Sequence, residues 1–331
     1  MKNIWRDLQK PIMALAPMEN VTDTVFRQIV SEAGAPDVFF TEFTNCDGLF
    51  SPGRRETEHR LQYTEAERPL IAQIWGIHPE TYFQAARLVA EMEFDGVDIN
   101  MGCPDKAVIR AGACSALIKN HDLAKAIIDA TKRGAKGRIP VSIKTRIGFG
   151  SIATEEWIGF LLSQHPDALT VHLRTVHEQS MVPAHWEEME KIVRLRNRIS
   201  PETVLLGNGD VRSLPEGQEL CSQYKIDGIM LGRAIFQNLW LFNPDFDPAT
   251  VTVHERLGML LKHIDLFEET WHDPRRFQTI KKFVKAYVHS FPAASQWRQE
   301  MMETGDIEEL RQKVREKLKE TKSLPVYQTL Q

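Results

Sequence analysis

The residues best suited to chemistry in this chain lie in Val97-Asp98-Ile99-Asn100-Met101-Gly102-Cys103-Pro104. A continuous apolar run bounded by Gly and Pro reads as a strand covered on both faces. Gly102 lets the backbone turn or approach a ligand closely, and Pro104 fixes φ after the cysteine. The Cys103 thiol is therefore expected at the C-terminal end of a strand, where parallel α/β folds place their chemistry. A buried cysteine is equally a small hydrophobe. The neighbouring strand ends decide between the two.

Short β-branched runs recur along the chain with amphipathic stretches between most of them. Candidate strands are Ile12–Ala16, Val38–Phe43, Leu70–Trp75, Val97–Met101, Val141–Thr145, Ala168–His172, Val204–Asn208 and Gly228–Leu231. Helical patterns cover Pro79–Met92, Leu123–Arg133, Glu155–Gln164 and Trp186–Arg198, with Asp122 and Thr154 as caps of the second and third. Residues 44–69 show no clear helix. Eight strands separated by helices within ~250 residues predict an α/β fold, a (β/α)8 TIM barrel. A doubly wound open sheet is the alternative, but no Gly-x-Gly-x-x-Gly follows the first strand. The segment Phe242–Pro248, with two prolines and two aspartates, reads as a linker. Beyond it Val253–Trp271, Phe277–Ser290 and Ile307–Glu320 are helical with no strand between. The expected organisation is a barrel over residues 1–243 and an appended C-terminal α-helical domain over 244–331.

At barrel strand ends the residue types indicate what is bound. The first strand ends in the rigid corner Ala16-Pro17-Met18, and the third carries Gln73. The fourth presents Asn100 and Cys103, the fifth Lys144 and Arg146, the sixth His172 and Arg174. The seventh ends Gly207-Asn208-Gly209-Asp210 and the eighth Gly232-Arg233-Ala234. Glycines at these last two ends leave backbone N–H groups able to converge on a phosphate. Gln73, Lys144 and His172 stand where a plain barrel would be aliphatic. Any one of them fits a paired interior role. Together, beneath a phosphate cup, they fit a planar heteroaromatic cofactor of the shape of FMN, with Lys144 offsetting negative charge on its reduced ring.

The 331 residues carry a net charge of -4, which alone does not indicate a nucleic-acid binder. The distribution differs: residues 251–331 hold 14 Lys and Arg against 12 Asp and Glu, and residues 274–299 hold six basic residues and no acid. Such a patch can steer a polyanion. Cys46, Cys103, Cys114 and Cys221 contain no Cys-x-x-Cys pair, which argues against a metal site or disulfide framework. No run approaches the ~18 apolar residues of a membrane span. The start, Met1-Lys2-Asn3-Ile4-Trp5-Arg6-Asp7, lacks an apolar signal core, so a cytoplasmic location is expected. A monomer is the expected state.

With these residues assembled, the chain resembles the tRNA-dihydrouridine synthases, FMN enzymes that reduce uridines in tRNA. The resemblance runs through Ala16-Pro17-Met18-Glu19-Asn20-Val21-Thr22-Asp23, Thr41-Glu42-Phe43 and Asn100-Met101-Gly102-Cys103-Pro104. It continues through Lys144-Thr145-Arg146-Ile147-Gly148, His172-Leu173-Arg174-Thr175, Asn208-Gly209-Asp210-Val211 and Gly232-Arg233. It implies Cys103 as the catalytic residue and NADPH as the reductant. It also implies Met18, Gln73, Lys144, His172, Asn208, Gly209, Gly232 and Arg233 as FMN contacts, a set we extend to Pro17 and Asp210. Leu173 stands where the family usually has a small residue, and Val176–His185 departs from the usual continuation.

Hydride addition at C6 of uracil and protonation at C5 follow from conjugation of the C5–C6 bond with the C4 carbonyl. Cys103 is the expected acid, a protonated thiol rather than a nucleophile. Asn100 is expected to fix the uracil edge, with Arg146 and Arg174 also reaching the substrate. The target base must be extruded from folded tRNA, and Arg275, Arg276, Lys281, Lys282 and Lys285 are expected to grip the backbone. The interleaved Phe277, Phe283, Tyr287, Phe291 and Trp297 read as core. Three other readings compete: an FMN barrel reductase acting on a small pyrimidine or enone, a barrel using Lys144 as a Schiff-base lysine, and a non-catalytic RNA-binding barrel. The first has no need of the basic helical appendage. The second conflicts with Arg146 beside Lys144.

Overall fold

The computed structural model describes residues 3–247, 250–273 and 276–321. Chain contacts separate two units, residues 1–24 with 36–232, and residues 25–35 with 233–331.

The first unit is a parallel β-barrel. Its strands are β1 (Ile12–Leu15), β2 (Phe39–Phe40), β3 (Thr44–Asn45), β4 (Leu70–Trp75), β5 (Gly96–Met101), β6 (Val141–Arg146), β7 (Ala168–His172), β8 (Val204–Asn208) and β9 (Gly228–Leu231). They neighbour one another in the order β1-β9-β8-β7-β6-β5-β4-β2, with β3 a short addition beside β4. A single bridge, Ala14 to Val38, brings β2 back to β1 and completes the ring. The expected strand Val38–Phe43 is thus broken. Thr41 turns its Oγ1 to accept the Gln73 N–H at 3.0 Å, replacing a ladder bond with a side chain. The chain then pairs again at Thr44 and Asn45.

Successive residues of a strand point to opposite faces, and the positions sharing the lumen divide by height. Ile12, Ala14, Val38, Phe40, Ile71, Ala168, Val204, Leu206 and Met230 form one apolar cluster with Ile4 and Trp5 of the N-terminal helix Ile4–Asp7. Four aspartates, each one or two residues ahead of a strand, clip the base. Asp37, Asp95, Asp167 and Asp227 accept through their carboxylates from the N–H of Met13, Leu70, Val141 and Leu205 at 2.7–2.9 Å. Their own N–H groups return to the carbonyls of those same residues at 2.9–3.0 Å. One charged residue per strand pair thereby satisfies backbone groups that a ladder end would orphan. The base is closed and apolar, so chemistry is confined to the opposite mouth.

Outside the barrel, Pro79–Glu91 and His121–Ala135 pack side by side. The second is capped by Asn120, which accepts from Leu123 N at 3.1 Å, so Asp122 lies inside the first turn rather than capping it. Thr154 likewise is not a cap but the first residue of a π-helical turn, Thr154–Ile158, that runs into Gly159–Ser163. After β3, residues 46–69 hold short turns of helix at Cys46–Leu49, Arg55–Glu58, His59–Leu61 and Glu65–Glu67.

The second unit is helical. Val253–Trp271 and Ile307–Thr321 pack together, and Ala294–Met302 is a helix that the sequence did not indicate. The expected helix Phe277–Ser290 is split into Phe277–Lys281 and Val284–Tyr287, because Lys282 and Phe283 make tight bonds to Thr279 and Ile280. Its core packs Phe26 and His263 against Phe283 in tilted contacts at ring distances of 4.9 and 4.7 Å. Residues 242–247 of the expected linker carry no helix or strand, and Pro248 lies outside the described residues. Among the described residues, no helix is long and apolar enough to cross a membrane.

Candidate active site

The turn after β5 is shaped by one side chain. Asn100 Oδ1 accepts from Gly102 N at 3.1 Å and from Cys103 N at 3.0 Å, while its Nδ2 donates to Gln73 Oε1 at 2.9 Å. An Asx side chain bonding the two N–H groups ahead of it is a local alternative to helix or ladder. Here it curls the chain so that Cys103 leaves the strand at a fixed angle. Ser115 closes the turn from outside by donating to Cys103 O at 2.7 Å. Asn100 is 5 % exposed and both ends of its amide are engaged, so it aims the turn. The second Nδ2–H is what remains for the expected contact to a uracil edge. Cys103 itself is half-buried. Burial pushes its thiol above the usual range against a smaller lowering by the Asp105 backbone N–H. It is a protonated sulfur at neutral pH.

Beneath this turn lies a polar layer. Gln73 Nε2 donates to Asp98 Oδ2 at 2.7 Å, and Ser142 Oγ donates to Asp98 Oδ1 at 2.6 Å. Burial raises Asp98 to about 6 despite both hydrogen bonds and the nearby Lys144. Gln73 is fully buried. Its amide is oriented by two fixed partners, Asp98 accepting and Asn100 donating, so no alternative flip satisfies both. Asp98 and Ser142 were given no role from sequence. Their signal was present, since a carboxylate inside an otherwise apolar strand must find donors.

Lys144 reaches Asn208 Oδ1 at 3.2 Å, and Asn208 Nδ2 is anchored on Met230 O at 2.7 Å. Burial first, and Arg146 second, lower the Lys144 ammonium to about 8. His172 stands two ladder steps away, paired with Asn208 and Arg146 across its neighbours. Its Nε2 lies 3.2 Å from Arg174 Nη1. A guanidinium has only donors, so that nitrogen accepts and the Nδ1–H tautomer is selected.

Arg146 and Arg174 are both buried. Arg174 donates from Nε to Val182 O at 2.6 Å and pairs through Nη2 with Asp210. Arg146 donates from Nε to Gly102 O at 2.9 Å and from Nη1 to Thr175 O and Gln179 O, both at 3.0 Å. Burial, with Arg174 nearby, lowers Arg146 to about 10. The two arginines stitch the loop after β7 to the barrel rather than presenting their forks to a substrate. That loop is the divergent segment Val176–His185, and one guanidinium joins it directly to the backbone beside Cys103.

The cup after β8 is built on left-handed backbone. Gly209 has φ +135° and Asp210 φ +59°. A Cβ on Gly209 would lie 2.8 Å from the Ala184 Cβ. The Asp210 carboxylate is turned onto Arg174 and Ala184 N, away from an anion role of its own. A Cβ on Gly232 would meet only Ala16 Cβ at 3.6 Å, so the chain leaves room there. Arg233 follows it and opens the short turn Arg233–Phe236 of the second unit. On the other side, Pro17 is buried and Met18 half-buried. Their corner is fixed by Thr22 Oγ1 accepting from Met18 N at 3.0 Å and Glu42 Oε1 accepting from Asn20 N at 2.6 Å. Burial, with Asp23 and Glu19 nearby, pushes Glu42 up to about 7.

In the helical unit the basic residues separate. Lys282 and Lys285 are exposed, and Arg276 is half-buried with its guanidinium 4.5 Å from the Trp271 ring. Lys281 does not belong with them: it is 6 % exposed and donates from Nζ to Thr304 O at 2.6 Å. A lysine on the inward side of a short helix lays its stem along apolar neighbours and finds a carbonyl for its head. Arg275 lies outside the described residues. Phe277, Phe283, Tyr287 and Trp297 are buried as core. Among the described residues no group of three His, Cys, Asp or Glu side chains is placed to hold a metal ion.

The model of the family described as dihydrouridine synthase (Dus) matches residues 14–323. A probable tRNA-dihydrouridine synthase of Staphylococcus aureus is 43% identical, over 94% of this chain and 94% of its own. Probable tRNA-dihydrouridine synthase 2 of Bacillus subtilis is 42% identical, over 94% of this chain and 95% of its own. Among solved structures, a morphinone reductase aligns at a TM-score of 0.50 with 12% identity, over 70% of this chain and 84% of its own, a likeness of fold.

Proposed function

The chain belongs to the dihydrouridine synthase family, and from that premise we propose that it reduces the C5–C6 double bond of uridines in tRNA, with FMN bound and NADPH as reductant. The observation that carries the reading is the half-buried Cys103 thiol at the end of β5, its turn set by Asn100 and its pKa pushed up by burial.

The residues at the barrel mouth fit FMN. Gly232 leaves backbone room for a phosphate, and Gly209 makes the left-handed turn that exposes the Asp210 backbone beside Asn208. Arg233, next in sequence to Gly232, is the expected cation for it. Lys144 and His172, both with partial exposure, offer donors to ring heteroatoms, and Pro17 and Met18 form an apolar wall. Gln73, one layer lower, holds Asn100 and Asp98 in place. FMN held by these residues would supply a hydride to C6 of the uracil. Cys103 is the group that gives a proton to C5, and water restores the thiol. Lys144 offsets negative charge on the reduced cofactor. Arg146 and Arg174 act by holding the loop at 176–185 over the site. The catalytic work falls to residues 1–243 and the grip on tRNA to 244–331. Exposed Lys282 and Lys285, with half-buried Arg276, meet the backbone while the base is extruded.

Cys103→Ala tests the reading. Flavin content and flavin reduction by NADPH should be unchanged, while uridine reduction by the pre-reduced enzyme slows by about 10²–10⁴. Wild-type rates in that variant would remove Cys103 from the mechanism.

A further inference from the structure

A cavity of about 470 Å³ in the helical unit is lined in part by Arg256, Lys285, His289, Ser290, Phe236 and Trp240. Arg256 is 9 % exposed, donates from Nη1 to His289 O at 2.7 Å, and has a buried Nε with no hydrogen-bond partner. Among the described residues no carboxylate pairs with Arg256, Lys285 or His289, and no acidic residue lines the cavity. Arg298 adds a fourth basic group at the same turn, donating from Nη1 to Val288 O at 2.7 Å. Burial alone lowers the Arg256 guanidinium, and burial with Arg256 and Arg298 lowers His289. Buried charges are ordinarily paired. Arg256 Nη1 also lies 3.3 Å from His289 Nδ1, which in turn is 2.9 Å from Ser290 Oγ, so the imidazole and hydroxyl hold the guanidinium in place. A buried guanidinium with no carboxylate partner, beside the Lys285 ammonium, supplies donors for a tetrahedral oxyanion. Aromatic walls at Phe236 and Trp240 give a planar group somewhere to rest.

We propose that this cavity is a phosphate subsite for a nucleotide of bound RNA, the phosphate meeting Arg256, Lys285 and His289. The RNA source rests on the reading of tRNA as substrate, while the anion site does not. Inorganic phosphate, titrated calorimetrically into the FMN-loaded protein whose cofactor already occupies its own phosphate cup, should bind. Arg256→Gln should weaken that binding by about tenfold or more and raise the Kd for tRNA comparably. Lys285→Gln, at the exposed rim, keeps the test decisive if Arg256→Gln fails to fold. It should lower the slope of log Kd for tRNA against log salt by about 1. Unmodified tRNA should displace phosphate. Displacement by NADPH or AMP but not by tRNA would overturn the RNA assignment. A wild type that reduces tRNA yet takes no phosphate, with unchanged tRNA affinity in both variants, would overturn the subsite alone. A wild type that holds phosphate but ignores tRNA would refute the RNA source together with the proposed function.

Discussion

Replacing Asn100 with Ala isolates the turn that aims the thiol. The change deletes three hydrogen bonds, from Gly102 N, from Cys103 N and to Gln73 Oε1. Each buried group left without a partner costs roughly 1–3 kcal/mol. Water can reach the half-buried Cys103 turn but not Gln73, so the total should be about 3 kcal/mol, read as a shift of the urea midpoint at unchanged m. The rate effect is separate. A freed turn lets the sulfur wander by about 1 Å, enough for about a 10²-fold loss at a reacting centre. Single-turnover uridine reduction by pre-reduced enzyme measures it without interference from NADPH. If Asn100 acts through Cys103, the double variant Asn100→Ala/Cys103→Ala should be no slower than Cys103→Ala alone, since residues acting as a unit are not additive. Full additivity, or an Asn100→Ala rate within twofold of wild type, would refute the positioning role.

Three further outcomes follow from the same geometry. Gly209→Ala should cost about 1–3 kcal/mol, because φ is +135° and the added Cβ lies 2.8 Å from Ala184, and it should weaken flavin retention measured by dialysis. Asp98, raised from 3.8 to about 6, holds its proton more tightly when folded, so its contribution to stability is greatest below pH 4 and is lost as pH rises to about 6. The loss is of order 3 kcal/mol at most, and Asp98→Asn should flatten the stability difference between pH 4.5 and 7; an undiminished difference would exclude Asp98 as its source. Lys281→Gln should destabilise the fold by about 1–3 kcal/mol through Thr304, whereas exposed Lys282→Gln should stay within about 0.5 kcal/mol and raise the KM for tRNA. The reverse pattern would place Lys281 on the RNA face.

The amino-acid sequence by itself located seven of the eight expected barrel strands and missed only the break of Val38–Phe43, because a strand covered on both faces must be apolar throughout its length and stops where Gly, Pro or polar residues begin. It likewise placed Cys103, Lys144, His172 and the two glycine turns at one mouth, since strand direction alone orders them. It left open what each polar side chain does there. Asn100, Arg146 and Arg174 have the right chemistry for a substrate, but only the tertiary structure decided that most of their donors and acceptors are held by Gly102, Cys103, Gln179, Val182 and Asp210. Lys281 and Lys282 are adjacent in sequence and opposite in fate, because a helix rotates one residue inward and its neighbour out. The four aspartate clips were equally invisible, since each joins residues more than twenty positions apart. Periodicity is a local property and survives in the sequence; the partner of a polar atom depends on closure of the whole ring, and only the folded chain supplies it.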